Sequence, residues 1–380
     1  MKFVIAPDKF KGSITSFEFC ELAEMVLLEH FPKAAILKLP LADGGDGTIE
    51  IVKHYLGGER IIAQVSDPLF RPISASYIWS ESIQTAYIEM AEASGHHLLS
   101  TKELNCMETT SLGTGELILN ALERGATTIY LGIGGSATND GGLGMAQALG
   151  YQFLDAQNKP INPIGKNLFQ VSSIDTSKCN LLLKKCSFKV ACDVDNPFYG
   201  PNGAAFVYGP QKGATPENVA FLDQGLQHFS SVLKQTFGTD VQKLPGAGAA
   251  GGIGGGAHVF LDATLVSGVN LLKEMAQFDE KITDADWIIT GEGQLDAQTL
   301  SGKTINGVLA SALKQNIPVA AFCGAVRLSK EQQQKLGLTY INAILTEVVD
   351  LPTAMANGKE NLQKALYNFC NVLKQYHSPG

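Results

Sequence analysis

Carboxylates, lysines and hydroxyls recur at one kind of place in this 380-residue chain, directly after short apolar runs. Asp8, Lys9, Lys11 and Ser13 follow Lys2-Phe-Val-Ile-Ala6, and Asp43 and Asp46 follow Ala35-Ile-Leu-Lys-Leu39. Ser136, Thr138, Asn139 and Asp140 come after Thr127-Thr-Ile-Tyr-Leu131, Asp193 and Asp195 after Phe188-Lys-Val-Ala-Cys192, and Glu292, Gln294 and Asp296 after Asp286-Trp-Ile-Ile-Thr290. Such β-branched and aromatic runs read as buried strands. In an open parallel sheet, ligands bind beyond the carboxyl ends of the strands. Six of the thirteen residues from Gly132 to Gly144 are Gly, with Gly134 and Gly135 among them, and glycine lets a ligand approach bare N–H groups. A helix expected over 143–149 would add its positive dipole end. Lys212 lies in a second glycine-bearing loop, 209–215, and a third glycine tract runs over 245–256. Several acids with a few lysines and many bare N–H groups suit Mg2+ plus a polyphosphate. Mg2+ takes one or two carboxylates and completes its shell with water and phosphate oxygens. Phosphoryl transfer needs little beyond such positioning and charge neutralisation.

Each element also has a plainer reading. Lys9 and Lys11 fit a solvated surface, and Asp43 and Asp46, next to glycines, fit turn formers. His96 and His97 follow Gly95 in an expected surface turn. Asp193 could cap the Asn196-Pro197 turn, yet two acids at the end of a buried strand are costly without a cation or ligand. By that position Asp193 is the expected general base, with desolvation and Asp195 raising its pKa and Asp195 assisting through metal or substrate contacts. Two nucleotide motifs nearly match. Gly132-x-Gly134-x-x-Ala137, with Asp155 downstream, approximates the relaxed dinucleotide fingerprint, but there the helix should begin inside the motif. Ala297-x-x-x-x-Gly302-Lys303-Thr304 approximates a P-loop, but it starts well past the strand end; Lys303, at an expected helix start, is retained as a phosphate contact.

The bulk numbers narrow the class. A chain of 380 residues suggests two domains, since single cores rarely grow past ~250–300 residues. Hydrophobic residues at 45% and charged residues at 17% are a globular balance, and a net charge of −8 argues against nucleic acid or an anionic membrane as partner. No apolar run reaches the ~18 residues of a membrane span and the first residues do not read as a signal peptide. Seven cysteines without a CxxC are expected as reduced thiols of a cytoplasmic protein.

The elements that must position these residues follow from periodicity. A helix over 17–30 begins at a capping box formed by Thr15 and Glu18, and a second helix stops at Gly57-Gly58. Strand–helix–strand–helix order implies parallel pairing. The short runs 60–65, 73–79 and 85–90 carry no helix between them and read as an antiparallel meander. Helix 115–123 and the strand at 127–131 return to α/β order, 188–192 is a strand and 217–237 a helix. Strands at 286–290, 318–322 and 340–345 precede a C-terminal helix. The expected fold is a doubly wound parallel sheet interrupted by an inserted second α/β domain. Residues 1–62, 106–150 and 265–380 are assigned to the doubly wound domain, and 63–105 and 151–264 to the insertion.

Taken together the loops resemble the bacterial glycerate kinase family, over nearly the whole chain. The resemblance is carried by Ala6-Pro-Asp-Lys-Phe-Lys-Gly-Ser13, Leu39-Pro-Leu-Ala-Asp-Gly-Gly-Asp-Gly-Thr48, Ile88-Glu-Met-Ala-Glu-Ala-Ser-Gly95 and Thr110-Ser-Leu-Gly-Thr-Gly-Glu116. Gly132-Ile-Gly-Gly-Ser-Ala-Thr-Asn-Asp-Gly-Gly142, Ala191-Cys-Asp-Val-Asp-Asn-Pro197, Gly209-Pro-Gln-Lys-Gly-Ala-Thr-Pro216 and Thr290-Gly-Glu-Gly293 extend it. The sequence has Lys9 where many relatives carry Ser, and Asp46 where relatives often carry Glu. The resemblance implies a two-domain α/β fold, the doubly wound domain Rossmann-like and the active cleft between the domains, and ATP-dependent phosphorylation of D-glycerate, with 2-phosphoglycerate the favoured product. Lys11 and the N–H groups of 134–136 are then expected on the ATP phosphates, with Asp8, Lys9, Ser13, Thr138, Asn139, Asp140, Lys212, Glu292 and Lys303 around substrate and nucleotide. Asp43, Asp46, Asp195 and Asp296 are expected at Mg2+, and a homo-oligomer is left open. The rivals are an NAD-dependent hydroxy-acid dehydrogenase using 132–137 and a non-enzymatic glycerate-binding regulator.

Overall fold

Among the described residues, thirteen strands and the helices between them sort into two units, Met1–Ile51 with Val269–Gly380 and Val52–Gly268. The computed structural model describes residues 1–42, 47–296 and 304–377. The first unit contains β1 (Lys2–Ile5) and β2 (Ala35–Lys38); β3 (Glu59–Ser66), β4 (Pro72–Ser80), β5 (Thr85–Glu89) and β6 (Thr128–Gly132) belong to the second. The second continues with β7 (Gln152–Leu154), β8 (Ser173–Asp175), β9 (Ser187–Ala191) and β10 (Thr264–Val266), and the first closes with β11 (Trp287–Leu295), β12 (Val319–Val326) and β13 (Tyr340–Ala343).

The first unit is a five-stranded sheet in the order β13-β12-β11-β1-β2, with every pairing parallel. Phe3, Val4 and Ile5 of β1 and Ile288 and Ile289 of β11 are fully buried, the continuous apolar pattern of strands covered on both faces. Phe3 and Ile5 pack with Phe19 and Leu27 of the helix Ser16–His30 and with Leu366 and Phe369 of the helix Gly358–His377. The first of these helices starts at the expected box, Thr15 accepting from Glu18 N and Glu18 reaching back to Thr15 N. The helix Thr304–Lys314 packs on β11 and β12. From β1 the chain winds one way to β2, and from β11 the other way to β12 and β13. The strand order therefore reverses between β1 and β11, the place where a doubly wound sheet opens a crevice.

The second unit is a six-stranded sheet, β10-β9-β6-β5-β4-β3, beside the small pair β7-β8. The expected meander is there, β3, β4 and β5 pairing antiparallel. From β5 onward the pairing is parallel, through β6 and β9 to β10. This corrects the assignment of 106–150 to the Rossmann-like domain. Its strand, β6, hydrogen-bonds to β5 and β9, so the segment lies in the second unit, which runs unbroken over 52–268. The glycine tract at 245–256 is likewise not an open loop. It enters the helix Ala249–Leu261 through three left-handed residues, Ala250, Gly251 and Gly252, and is mostly buried. A Cβ at Gly251 would collide with the Thr138 carbonyl, and one at Gly252 would stand 2.9 Å from Gly141 Cα. Those glycines let two backbones touch.

Candidate active site

In the first unit a cavity of about 620 Å3 opens where β1 and β11 end. Its polar wall is built from both strand ends: Asp8, Lys9, Lys11 and Ser13 beyond β1, and Glu292, Gln294 and Asp296 at the end of β11. β11 runs on to Leu295, beyond the expected Thr290, so Glu292 and Gln294 are strand residues whose positions the sheet fixes. Asp8 is 5% exposed; its Oδ1 accepts from Lys9 N at 2.7 Å and its Oδ2 from Thr304 Oγ1 at 2.6 Å. Lys9 is half-buried with its Nζ beside Gly47, whereas Lys11 is exposed. Gln294 Nε2 donates to Asp296 Oδ2 at 2.5 Å. Ser13 is turned to the frame: its Oγ donates to Met355 O at 2.6 Å. The rest of the lining is apolar, with Ala325, Ile344, Leu345, Leu351, Ala354 and Met355. The lining thus offers cations and carboxylates together with hydrocarbon, the mixture a nucleotide needs for phosphates and base.

The remaining expected residues lie in the second unit, in two settings. Gly134 and Gly135 form an exposed turn after β6, and a Cβ at Gly134 would meet nothing within 4 Å. Beyond them the chain dives inward. Asp140 is fully buried and accepts from Ser111 N at 2.8 Å, Ser111 Oγ at 2.7 Å, Gly142 N at 3.1 Å and Gly144 N at 3.2 Å. Burial pushes its carboxyl up while these donors pull it down. Gly142 and Gly144 thus give Asp140 the N–H groups that were expected to face a ligand, at the start of the short helix Leu143–Ala148. Lys212, 2% exposed, donates to Ser136 Oγ at 2.6 Å and to Thr138 O at 2.7 Å. Burial lowers its ammonium pKa to about 8, against a pull upward from Cys106 and Asp140. Thr138 Oγ1 and both amide atoms of Asn139 are buried with no partner among the described residues.

Asp193 and Asp195 follow β9 as expected but are exposed, so the burial expected of Asp193 is not there; its Oδ1 accepts from Gly268 N at 2.9 Å. Asp43, Asp46 and Lys303 lie outside the described residues. His96 and His97 are exposed, and all seven cysteines are unpaired. Two residues went unmarked in the sequence. Arg327, which lines the cavity, follows β12, and the strand-end logic applied to that strand would have found it. Glu89 ends β5 inside one of the quoted motifs, half-buried, with its carboxyl held up by burial.

No helix among the described residues is long and apolar enough to cross a membrane. Residues 3–374 match the sequence profile of the Glycerate kinase family. A glycerate kinase of Halalkalibacterium halodurans is 42% identical over 369 residues, 97% of each chain. The glycerate 2-kinase of Escherichia coli is 41% identical over 373 residues, 98% of each chain. The crystal structure of a putative glycerate kinase 2 from Salmonella typhimurium LT2 superposes with a TM-score of 0.87 at 40% identity, covering 99% of this chain and 98% of that one.

Proposed function

The chain belongs to the glycerate kinase family, and from that premise we propose that it transfers the γ-phosphoryl group of ATP to a hydroxyl of D-glycerate, giving 2-phosphoglycerate and ADP. The observation that carries the ATP half of this reading is the cavity at the switch point of the first unit, whose lining is part charged and part apolar. Lys11 and Lys9, with Arg327 beside them, meet the phosphates. The adenine lies against Leu345, Leu351 and Met355, where burial of its faces needs no matching charge. Asp8, Glu292 and Asp296 supply hard oxygens of the kind Mg2+ takes, with Asp43 and Asp46 proposed alongside them. Bound there, Mg2+ would spread the charge that builds on the β- and γ-phosphate oxygens. The short Asp8–Thr304 bond keeps the Asp8 carboxylate facing one way, so its charge is placed before any ligand arrives.

The second unit supplies the alcohol side of the reaction in this reading. Gly134, Gly135 and Ser136 present an open turn for an anionic group, Lys212 fixes that turn from beneath through Ser136 and Thr138, and a carboxylate on the same sheet edge accepts the hydroxyl proton. Asp193 is the residue that the sequence puts forward for that last role. The position of phosphorylation follows the Escherichia coli relative, a glycerate 2-kinase.

The test is glycerate-dependent ADP formation by the purified protein, with phosphorus NMR of the product. A 2-phosphoglycerate resonance is expected. No ADP above the ATPase background would end the reading, and a 3-phosphoglycerate resonance would correct its regiochemistry alone. NADH formation from NAD and glycerate would favour the dehydrogenase rival, although its fingerprint segment here runs into the buried Asp140 turn and not into a helix.

A further inference from the structure

The parallel strands of the second unit bring one more carboxylate to their carboxyl edge. In register, Glu89 of β5 stands opposite Gly132 of β6, which stands opposite Ala191 of β9. One row back on the same face lie Tyr87, Tyr130 and Lys189, while Ile88, Leu131 and Val190 point the other way into the core. Gly132 is the reason the Glu89 side chain fits: a Cβ there would collide with its carboxylate. Tyr87, 2% exposed, donates its hydroxyl to Glu89 Oε1. Oε2 has no hydrogen-bond partner among the described residues. The side chain is therefore held from one oxygen, half-buried, with the second oxygen uncommitted against Gly132, two residues before the exposed turn Gly134–Gly135.

We propose that Glu89 Oε2 accepts the hydroxyl proton of D-glycerate, so that Glu89 and not Asp193 is the base of the transfer. The inference rests on the kinase reading given above. In the step, the glycerate O–H proton passes to Oε2 and the oxygen forms a bond to the γ-phosphorus. The bond from that phosphorus to the β–γ bridging oxygen breaks, and ADP leaves with its electron pair. Asp193 lies two strands away, about 10 Å at the usual strand spacing, is exposed, and already accepts from the backbone at Gly268. Tyr87 is a positioning residue that fixes one oxygen and leaves the other to the substrate.

The charged and titratable groups around Glu89 give the pH dependence its sign. Burial and the Glu92 charge on the neighbouring turn of helix raise its pKa, and the Tyr87 hydrogen bond lowers it. Tyr130 and Lys189 share its face from β6 and β9. A raised carboxyl pKa puts the acid limb of kcat at higher pH than an ordinary glutamate would, and losing the Tyr87 hydroxyl moves that limb higher still. The same shift means that the fold prefers the neutral form. That contribution to stability is full below the unfolded pKa and is lost as pH rises through the folded one.

Four variants of the full chain test the assignment, with D-glycerate binding measured by calorimetry beside turnover. Glu89→Gln is expected to lower kcat ~10²-fold or more with the KM for ATP unchanged. Its melting temperature at neutral pH is expected to equal or exceed that of the wild type, because the amide mimics the neutral form. Glu89→Asp should recover part of kcat, and Tyr87→Phe should shift the acid limb upward. Wild-type turnover in Glu89→Gln, or a loss matched by a falling melting temperature, overturns the proposal and leaves the kinase reading standing; the same loss in Asp193→Asn with none in Glu89→Gln returns the role to Asp193. If the wild type binds D-glycerate without turning it over, the kinase reading fails, and unchanged binding in Glu89→Gln then removes Glu89 from the site as well.

Discussion

Lys11 and Lys212 come from the same sequence logic, a lysine in a glycine-bearing loop, and they stand in opposite surroundings. Lys11 is exposed on the wall of the cavity of the first unit, among carboxylates that the strand ends of a parallel sheet hold in place. Lys212 is buried in the second unit, its ammonium divided between a hydroxyl and a carbonyl of one loop. The same contrast separates Asp296, on the cavity, from Asp140, whose four donors are all its own protein. A charge left on a surface is held weakly and can be given to a ligand. A buried charge must be saturated by the fold, because leaving it unpaired costs several kcal/mol. The first region is therefore built to bind and the second to hold a loop in shape.

If that division is right, the largest change comes from cutting the buried brace. Asp140→Ala strands the Ser111 hydroxyl and three backbone N–H groups in a place without solvent. A loss of about 3 kcal/mol or more is expected, read as a fall in denaturation midpoint. A variant that melts like the wild type but no longer binds substrate would move Asp140 from the brace to the site.

Next in size is the pH dependence of the buried lysine. Its folded pKa of about 8 lies below its ordinary 10.5. Between those values the unfolded chain binds more protons than the folded one, so this group makes stability rise with pH across that window. Lys212→Met should remove a rise on the order of 2 kcal/mol. The comparison of denaturation midpoints at pH 7.5 and pH 10 between wild type and variant isolates it from the tyrosines and cysteines that titrate in both. Equal slopes would mean that Lys212 is already neutral or reaches water.

How much of this contrast could be read from the chain depended on whether the signal was local. The Thr15–Glu18 capping box, the turn at Gly57 and the three-strand meander are written in neighbouring residues, and the structure has them. The residues around the cavity were legible too, because the carboxyl-end rule needs only strand positions. Pairing was not legible. The run 128–132 reads as a strand in either unit, and only the hydrogen bonds to β5 and β9 decide its sheet. Nor does sequence distinguish a glycine that bares an N–H to a ligand, as at Gly134, from one that admits another backbone, as at Gly251. Asp140 read as a site residue for the same reason: two of its four donors are glycine N–H groups a few residues on, and nothing in a one-dimensional pattern says that they point inward.

On the open side of the comparison the expected effects fall on ligands and not on the fold. Lys11→Ala should raise the KM for ATP or lower kcat by at least ~10-fold, about 1.4 kcal/mol, with no change in melting temperature, since an exposed side chain on a cavity wall supports little packing. Steady-state kinetics with ATP varied measures it. ATP kinetics like those of the wild type would sink the assignment of Lys11 to the phosphates.

The smallest expected effect is the most discriminating, because Ser13 stands on the line between the two kinds of role. It faces the cavity, and as a hydroxyl in a loop after a strand it reads as a phosphate contact. Its Oγ, however, donates to Met355 O, and Gly358 leaves room for it: a Cβ at 358 would collide with Ser13 Oγ. That bond ties the turn after β1 to the short helix Leu351–Ala356, whose Leu351, Ala354 and Met355 form part of the apolar wall. A neutral hydrogen bond of this kind contributes about 1 kcal/mol net, and removing it loosens the wall against which the base is proposed to lie. Ser13→Ala should therefore lower the denaturation midpoint slightly and raise the KM for ATP by no more than about 3-fold, well under the 1.4 kcal/mol that a tenfold change represents. Turnover at saturating ATP should stay where it was, because the proposed phosphate contacts, Lys11 and Lys9, do not bond to Ser13. A tenfold loss of kcat with stability intact would put the hydroxyl on the transferred phosphoryl group, and would show that a side chain already bonded within the fold can still be surrendered to the ligand.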